Sequence, residues 1–396
     1  MPKPLENVKV LDLTRVLAGP YCTMLLQELG AEVIKVEMPG RGDDARHYGP
    51  FKEDKSVYFI SINRGKKSIS LNLKHERGQQ IIYDLVKQVD VVTENFRPGT
   101  MEKLGLGYET LREINPKIIY AATSGFGHTG PESKKPAYDM LVQAMGGMIS
   151  ITGWPDKPPT RVGMSIGDIG AALYTAIGIS TALYQREVTG EGQKVDVAML
   201  DCQIALLENA VVRSQVDNVP PGPKGNRHPT ITPFQAFQAQ DDYIAIPVGN
   251  DAMWKIFCTA IGREDLIAHA HFATNQLRTD NLQELIPILE GVIRTKTVAE
   301  WVAVFAKANF PCSPINTIDK AMQHPQTLAR NMIVDVDDKD IGGVKIAGNP
   351  IKMSSLPEEP TRSSAPDIGR HNDEILKSWL GYSDDEIDGL RQEGVI

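Results

Sequence analysis

The chain is poor in cysteine and in net positive charge, and no apolar run in it approaches the length of a membrane span. Its four cysteines, Cys22, Cys202, Cys258 and Cys312, are scattered without paired spacing. This argues against a disulfide framework or a cysteine-based metal site, and fits reduced thiols packed as small hydrophobes in a cytoplasmic protein. The first residues, MPKPLENVKVLDLTR, lack the basic, apolar and small-residue order of a secretory signal. A formal net charge of −8 argues against nucleic acid or an anionic membrane as the main partner. It leaves room for a small anion, since Arg64, Lys66, Lys67 and Lys74 can build a local positive pocket.

What is present is enough chain, 396 residues, for one large core and a second, smaller one. Through the first 200 residues, β-rich apolar runs alternate with helix-like segments. VKVLDL, AEVIKVEM, SISLNL, DVVTENF, KIIYAATS and KVDVAM read as strands; PYCTMLLQELG and ERGQQIIYDLVKQ read as amphipathic helices. Such alternation predicts βαβ units and an α/β sheet. IGAALYTAIGISTALYQRE, rich in Ala and Gly, reads as a buried helix packed against that sheet. Residues 217–233 carry five prolines and cannot form regular structure. A strand at YIAIPVG and helices near 251–262, 280–293 and 297–308 then predict a small α+β domain. The SDDE signal at 383–386 opens a final amphipathic helix.

Three motifs compete for the chemistry. GFGHTG, residues 125–130, has the glycine spacing of a dinucleotide-binding turn. That turn must open a helix whose N–H groups hold the pyrophosphate, and Pro131 and Pro136 leave no room for one. GMSIG at 163–167 matches a nucleophile elbow around Ser165, with His228, His324 and His371 downstream. An elbow needs a strand running into the serine, and the preceding KPPTRV makes a poor one. Asp168 stands at the start of the long apolar helix, where an Asp commonly caps free N–H groups. The same position would keep its carboxylate ionised and available as a nucleophile toward a thioester, with Gly167 and Gly170 admitting a substrate.

The stretches VLDLTRVLAGPYCTMLLQELGAEVIKVEMPGRGDDAR, SINRGKKSISLNLK, VTENFRPGTMEKLGLGY, SGFGHTGPESKKPAYDMLVQAMGG and IGDIGAALYTAIGISTALYQRE, with PCSPINT, GNPIKMS and IGRHNDEIL near the end, carry a wider likeness. The chain resembles the class III CoA-transferases, the group of formyl-CoA transferase and carnitine CoA-transferase, to which α-methylacyl-CoA racemase is related. The resemblance implies transfer of CoA from an acyl-CoA to a carboxylic acid, possibly a dicarboxylate, with coenzyme A as substrate and no tightly bound cofactor or metal. It places the catalytic carboxylate on Asp168, which would pass through an anhydride and an aspartyl-CoA thioester. It implies CoA contacts at Val16, Ala18, Leu71, Asn72, Lys74, Asn95, Phe96 and Lys103. Where relatives often carry an arginine after IKVE, this chain has Met38, so Arg41 or Arg46 is expected to grip the nucleotide end.

Tyr138, in PAYDML, stands where racemase relatives have histidine; it is expected to wall the pocket toward CoA and substrate, with racemization the alternative activity. His128 is off the position of that base. Ser165 as a thioesterase nucleophile is a further alternative. Arg15, in LTRVLAGP, is expected from the resemblance to pair with the second carboxylate of a diacid. The resemblance also implies a Rossmann-like large domain built from both chain ends and an interlocked homodimer. On this sequence that gives residues 1–205 as the large domain, 206–233 as linker, 234–318 as the small domain and 325–396 as the return.

Overall fold

The computed structural model describes residues 2–216 and 219–396. Six strands form one sheet: β1 (Lys9–Asp12), β2 (Glu32–Glu37), β3 (Lys67–Ser70), β4 (Val91–Glu94), β5 (Ile119–Ser124) and β6 (Lys194–Ala198). They are the six runs read as strands from the sequence. Their order is β3-β2-β1-β4-β5-β6, and every pairing is parallel. A parallel sheet is buried on both faces, and β1 to β5 are buried along most of their length, polar residues such as Asp12, Lys35 and Glu94 included.

Alternation along each strand sends side chains into two cores. Val10, Val33, Val91, Ile119 and Ala121 pack with Cys22 and Leu26 of α1 (Ala18–Glu28). Leu11, Ile34, Val92 and Tyr120 face the other way, toward Ile81, Ile82, Leu85 and Val86. The chain also forms α2 (Val57–Asn63), α3 (Glu76–Val86), α4 (Asp139–Met145), α5 (Ile166–Thr189), α6 (Met199–Leu206) and α7 (Asn209–Val216).

Helix α5 differs from expectation. Its Ala171, Ala172, Thr175, Ile179 and Ala182 are buried, but Ile177, Tyr184 and Val188 on the opposite face are 61–74% exposed. Only one face of the helix meets the sheet, so the apolar sequence overstated its burial. At 24 residues it is also long and apolar enough, by length and composition, to cross a membrane. The small and hydroxyl residues spread through it hid that property from the sequence reading.

The chain packs as two units. The first comprises residues 2–148, 162–216 and 325–396; the second comprises 149–161 and 219–324. The segment 149–161, placed by the sequence reading within 1–205, thus belongs to the second unit, and α7 occupies the start of the expected linker. In the second unit β7 (Phe234–Gln238), β8 (Tyr243–Pro247) and β9 (Ser313–Pro314) pair antiparallel. Trp254 and Phe257 from α8 (Asp251–Ala260), Leu285 and Leu289 from α9 (Leu282–Ile293), and Trp301 and Phe305 from α10 (Val298–Lys307) make its core. After residue 325 a three-stranded sheet joins the first unit, followed by α11 (Asn372–Leu380) and α12 (Asp384–Gln392). Ser383 and Glu386 close a capping box on α12, as the SDDE signal predicts.

Beneath the end of β1 the first unit holds a buried ion pair. Lys66 Nζ lies 3.0 Å from Asp12 Oδ2 and also donates to Thr23, Asn63 and the Pro20 carbonyl. Burial alone would raise the Asp12 carboxyl; the Lys66 and Lys35 ammoniums hold it well below the usual carboxylate range. Asp12→Ala strands the Lys66 charge in a dry site, so the urea midpoint is expected to fall by the equivalent of about 3–5 kcal/mol.

Candidate active site

A cavity of about 700 Å³ opens beyond the carboxyl ends of β1 to β4. It lies where the strand order reverses, between β1 and β4, the place at which open α/β sheets commonly take ligands. Arg15 reaches it from β1, Met38 and Arg41 from β2, Leu71, Asn72 and Lys74 from β3, and Phe96 and Lys103 from β4. Gly394 lines it from the other end of the chain, where the Asn72 N–H donates to the Val395 carbonyl at 2.8 Å. No local signal in the sequence pointed to Gly394.

The wall of this cavity carries excess positive charge. Lys74 and Lys103 form no ion pair among the described residues, while Arg15 and Arg41 share one carboxylate, Asp44, at 3.3 and 2.8 Å. The other two lining acids are already balanced: Glu37 by Arg46 and Asp43 by Lys35. Such a wall suits a polyanion.

Several basic residues are placed differently from expectation. Arg46 does not line this cavity. Its guanidinium is bound twice to Glu37 at 2.7 Å, donates to the Pro366 carbonyl and stacks 3.8 Å from the Phe59 ring, so its charge is already paired away from this cavity. Lys66 is buried on Asp12, Arg64 on Glu28, and Lys67 bridges Glu32 and Glu374. Of the four basic positions considered for a positive pocket, only Lys74 contributes to this one.

The turn between β1 and α1 shapes the cavity's edge. Val16 has φ 66°, a left-handed conformation that costs a β-branched residue roughly 1–2 kcal/mol. Its N–H donates to Asp43 Oδ1 at 3.0 Å. Asn95 brackets the preceding peptide, accepting from the Arg15 N–H at 2.9 Å and donating to its carbonyl at 2.8 Å. Lys35 donates to the Thr14 carbonyl at 2.8 Å and pairs with Asp43, also at 2.8 Å. Ala18 is buried at the first position of α1. Val16, Ala18 and Asn95 thus build the turn behind the cavity wall.

Asp168 lies in the first turn of α5, but not as its cap. The helix begins at Ile166, and among the described residues the Asp168 carboxyl forms no hydrogen bond or ion pair. The Gly167 N–H is instead taken by Asp139 Oδ1 at 2.8 Å, while Asp139 Oδ2 accepts from Gln143 at 2.8 Å. A side chain on Gly167 would come within 2.6 Å of Val142, so glycine is required for α4 to dock there. Gln143 also accepts from the Val162 N–H and so fixes the segment that delivers Asp168. Burial, with the Asp139 charge beside it, pushes the Asp168 carboxyl up to about 7. The expected direction was the opposite, because the sequence showed the helix terminus and not the second carboxylate.

Tyr58, on α2, was missed by the sequence reading. Its phenol is pushed up to about 12 by burial and by the charges of Asp168 and Asp43. Tyr138 stands at the N-terminus of α4 and is 76% exposed. Ser165 precedes α5 with no strand leading into it, which removes the geometry of an elbow. GFGHTG leaves β5 as an irregular loop with no helix before α4. A Cβ on Gly125 would sit 2.0 Å from that of Ala137, so this glycine lets the strand of chain leading to Tyr138 pass closely. His128 is held by Lys194 at 2.9 Å.

A family model described as CoA-transferase family III matches residues 5–372. The chain belongs to that family. This CoA-transferase is 44% identical to the acetyl-CoA:oxalate CoA-transferase of Acetobacter aceti, over 95% of the chain and 96% of that protein. It is 38% identical to the succinyl-CoA:glutarate CoA-transferase of Homo sapiens, over 100% of the chain and 90% of that protein. A CAIB/BAIF family protein from Brucella suis has a similar structure, with TM-score 0.84 and 38% identity, covering 96% of this chain and 100% of that one.

In the transferase the raised Asp168 carboxyl is also a statement about stability. A group ionising near 7 when folded, against an ordinary 3.8, takes stability away as pH rises between those values. Asp168→Asn is therefore expected to match the parent near pH 4. At pH 8 it should be more stable by on the order of 3–4 kcal/mol, read by denaturation at both pH values.

Proposed function

We propose that this CoA-transferase moves CoA from an acyl-CoA to a dicarboxylic acid, with Asp168 as the nucleophile. The observation that carries the proposal is the Asp168 carboxyl itself, without a hydrogen bond among the described residues and raised to about 7 beside Asp139. Once ionised, its oxygen attacks the thioester carbonyl; the C–S bond breaks, CoA leaves as thiolate and a mixed anhydride remains. The thiolate attacks the Asp168 carbonyl and expels the first acid, leaving an aspartyl-CoA thioester. An acceptor carboxylate attacks that thioester and releases the thiolate. The thiolate then attacks the acceptor's carbonyl, regenerating Asp168 and giving the new acyl-CoA. No water is consumed.

The cavity supports CoA as the shared substrate: six residues expected to touch it or its acid, Arg15, Leu71, Asn72, Lys74, Phe96 and Lys103, line one positively charged space. Arg41 takes the part first divided between it and Arg46. Relatives named for oxalate, glutarate, mesaconate and D-citramalate favour a diacid acceptor. In our reading the strand order makes the large unit Rossmann-like. The exposed apolar face of α5 supports burial in an interlocked homodimer, and the four free cysteines accord with a cytoplasmic location.

Mass spectrometry after incubation with succinyl-CoA or acetyl-CoA tests the chemistry. A CoA-sized adduct on the Asp168 peptide is expected, rising with pH through about 7 and absent from Asp168→Asn. Steady thioester hydrolysis without an adduct would count against the proposal. Arg15→Ala is expected to lower kcat/KM for dicarboxylate acceptors at least about tenfold more than for monocarboxylates. Equal loss for both acid classes would remove Arg15 from acceptor recognition.

A further inference from the structure

We propose that Asp43, backed by Lys35, is a positioning residue that holds the β1–α1 turn in its CoA-binding form. The inference rests on the CoA reading of the cavity and concerns how its wall is kept in shape. A valine at φ 66° does not persist unless its surroundings over-determine it, and here they do. One Asp43 oxygen accepts from both the Val16 N–H at 3.0 Å and the Ala45 N–H at 2.9 Å. The other oxygen faces the Lys35 ammonium at 2.8 Å, and that ammonium also holds the Thr14 carbonyl at 2.8 Å. The Lys35 and Asp43 side chains are 0% and 1% exposed. Asp43 therefore ties the turn from β1 to the segment after β2, the two stretches that bring Arg15 and Arg41 to the cavity.

The charges of the pair make the proposal separable from simple electrostatics. Removing a negative charge beside a polyanion site should, by charge alone, tighten CoA. If Asp43 acts by clamping the turn, Asp43→Asn weakens CoA instead, because it discards the ion pair that fixes the carboxyl under Val16. Glycine adopts φ 66° without strain, so Val16→Gly relieves the need for the clamp. Asp43→Glu keeps Lys35 paired with a carboxylate but displaces the acceptor from the Val16 N–H.

Calorimetric titration of the full chain with CoA tests this, with thermal melting as a check on folding. We expect Asp43→Asn to bind about tenfold more weakly than the parent, with Asp43→Glu behaving alike if Asp43→Asn does not fold. Adding Val16→Gly to the weakened variant is expected to restore most of the loss. Unchanged or tighter binding by both Asp43 variants overturns the clamp while leaving the CoA-transferase reading intact. Failure of Val16→Gly to recover affinity overturns it as well. No binding of CoA by the parent overturns the clamp and the cavity reading together.

Discussion

Two ion pairs sealed from water, Asp12–Lys66 and Lys35–Asp43, are the constraint on which the cavity depends. Taking a charge out of water costs several kcal/mol even after relaxation, so each member must find its partner in good geometry. The four residues come from β1, from β2 and the loop after it, and from the segment after α2. Meeting their demands fixes these elements against one another more narrowly than apolar packing does, since hydrophobic cores accept many volume-matched arrangements. Burial lowers the Lys35 ammonium only in isolation; Asp43, Asp12 and Glu37 together raise it, and the pair stays charged. The strained turn at Val16 is anchored to this framework.

The start of α5 shows the opposite use of charge. A helix N-terminus favours an anion through its dipole and its free N–H groups. Asp139 takes the Gly167 N–H, and Asp168, one residue later, has burial and a like charge to contend with. The two carboxylates thereby play different parts, one as structural acceptor and one as a group with unsatisfied bonding capacity.

Much of the sheet was legible because β-branched runs bounded by glycine and proline mark strands locally. Asn72, Lys74, Phe96 and Lys103 line the cavity, and they were expected there from the family resemblance rather than from any local signal. What escaped were facts decided by distant partners. Arg46 and Arg41 are equivalent on paper, yet Glu37 and Phe59 occupy one and leave the other at the cavity. Lys66 looks like surface charge until Asp12 is found beside it. Asp168 looks like a cap until Asp139 arrives from α4. An apolar helix pattern reports how much surface needs cover, and α5 obtains only part of that cover from its own chain.

The contact between Asn72 and Val395 has a bearing on how the protein is made. Asn72 belongs to the early part of the chain, and its backbone partner is synthesised more than three hundred residues later. Gly394, next to that partner, is part of the cavity wall. Domains tend to fold from the N-terminus as they leave the ribosome, but this cavity is lined by both early and late residues. The core on one face of the sheet also draws on Ile375, Leu376, Ile387, Leu390 and Val395, so core and cavity alike wait for the late residues. A chain cut short of these residues would lose packing in that core together with part of the cavity wall.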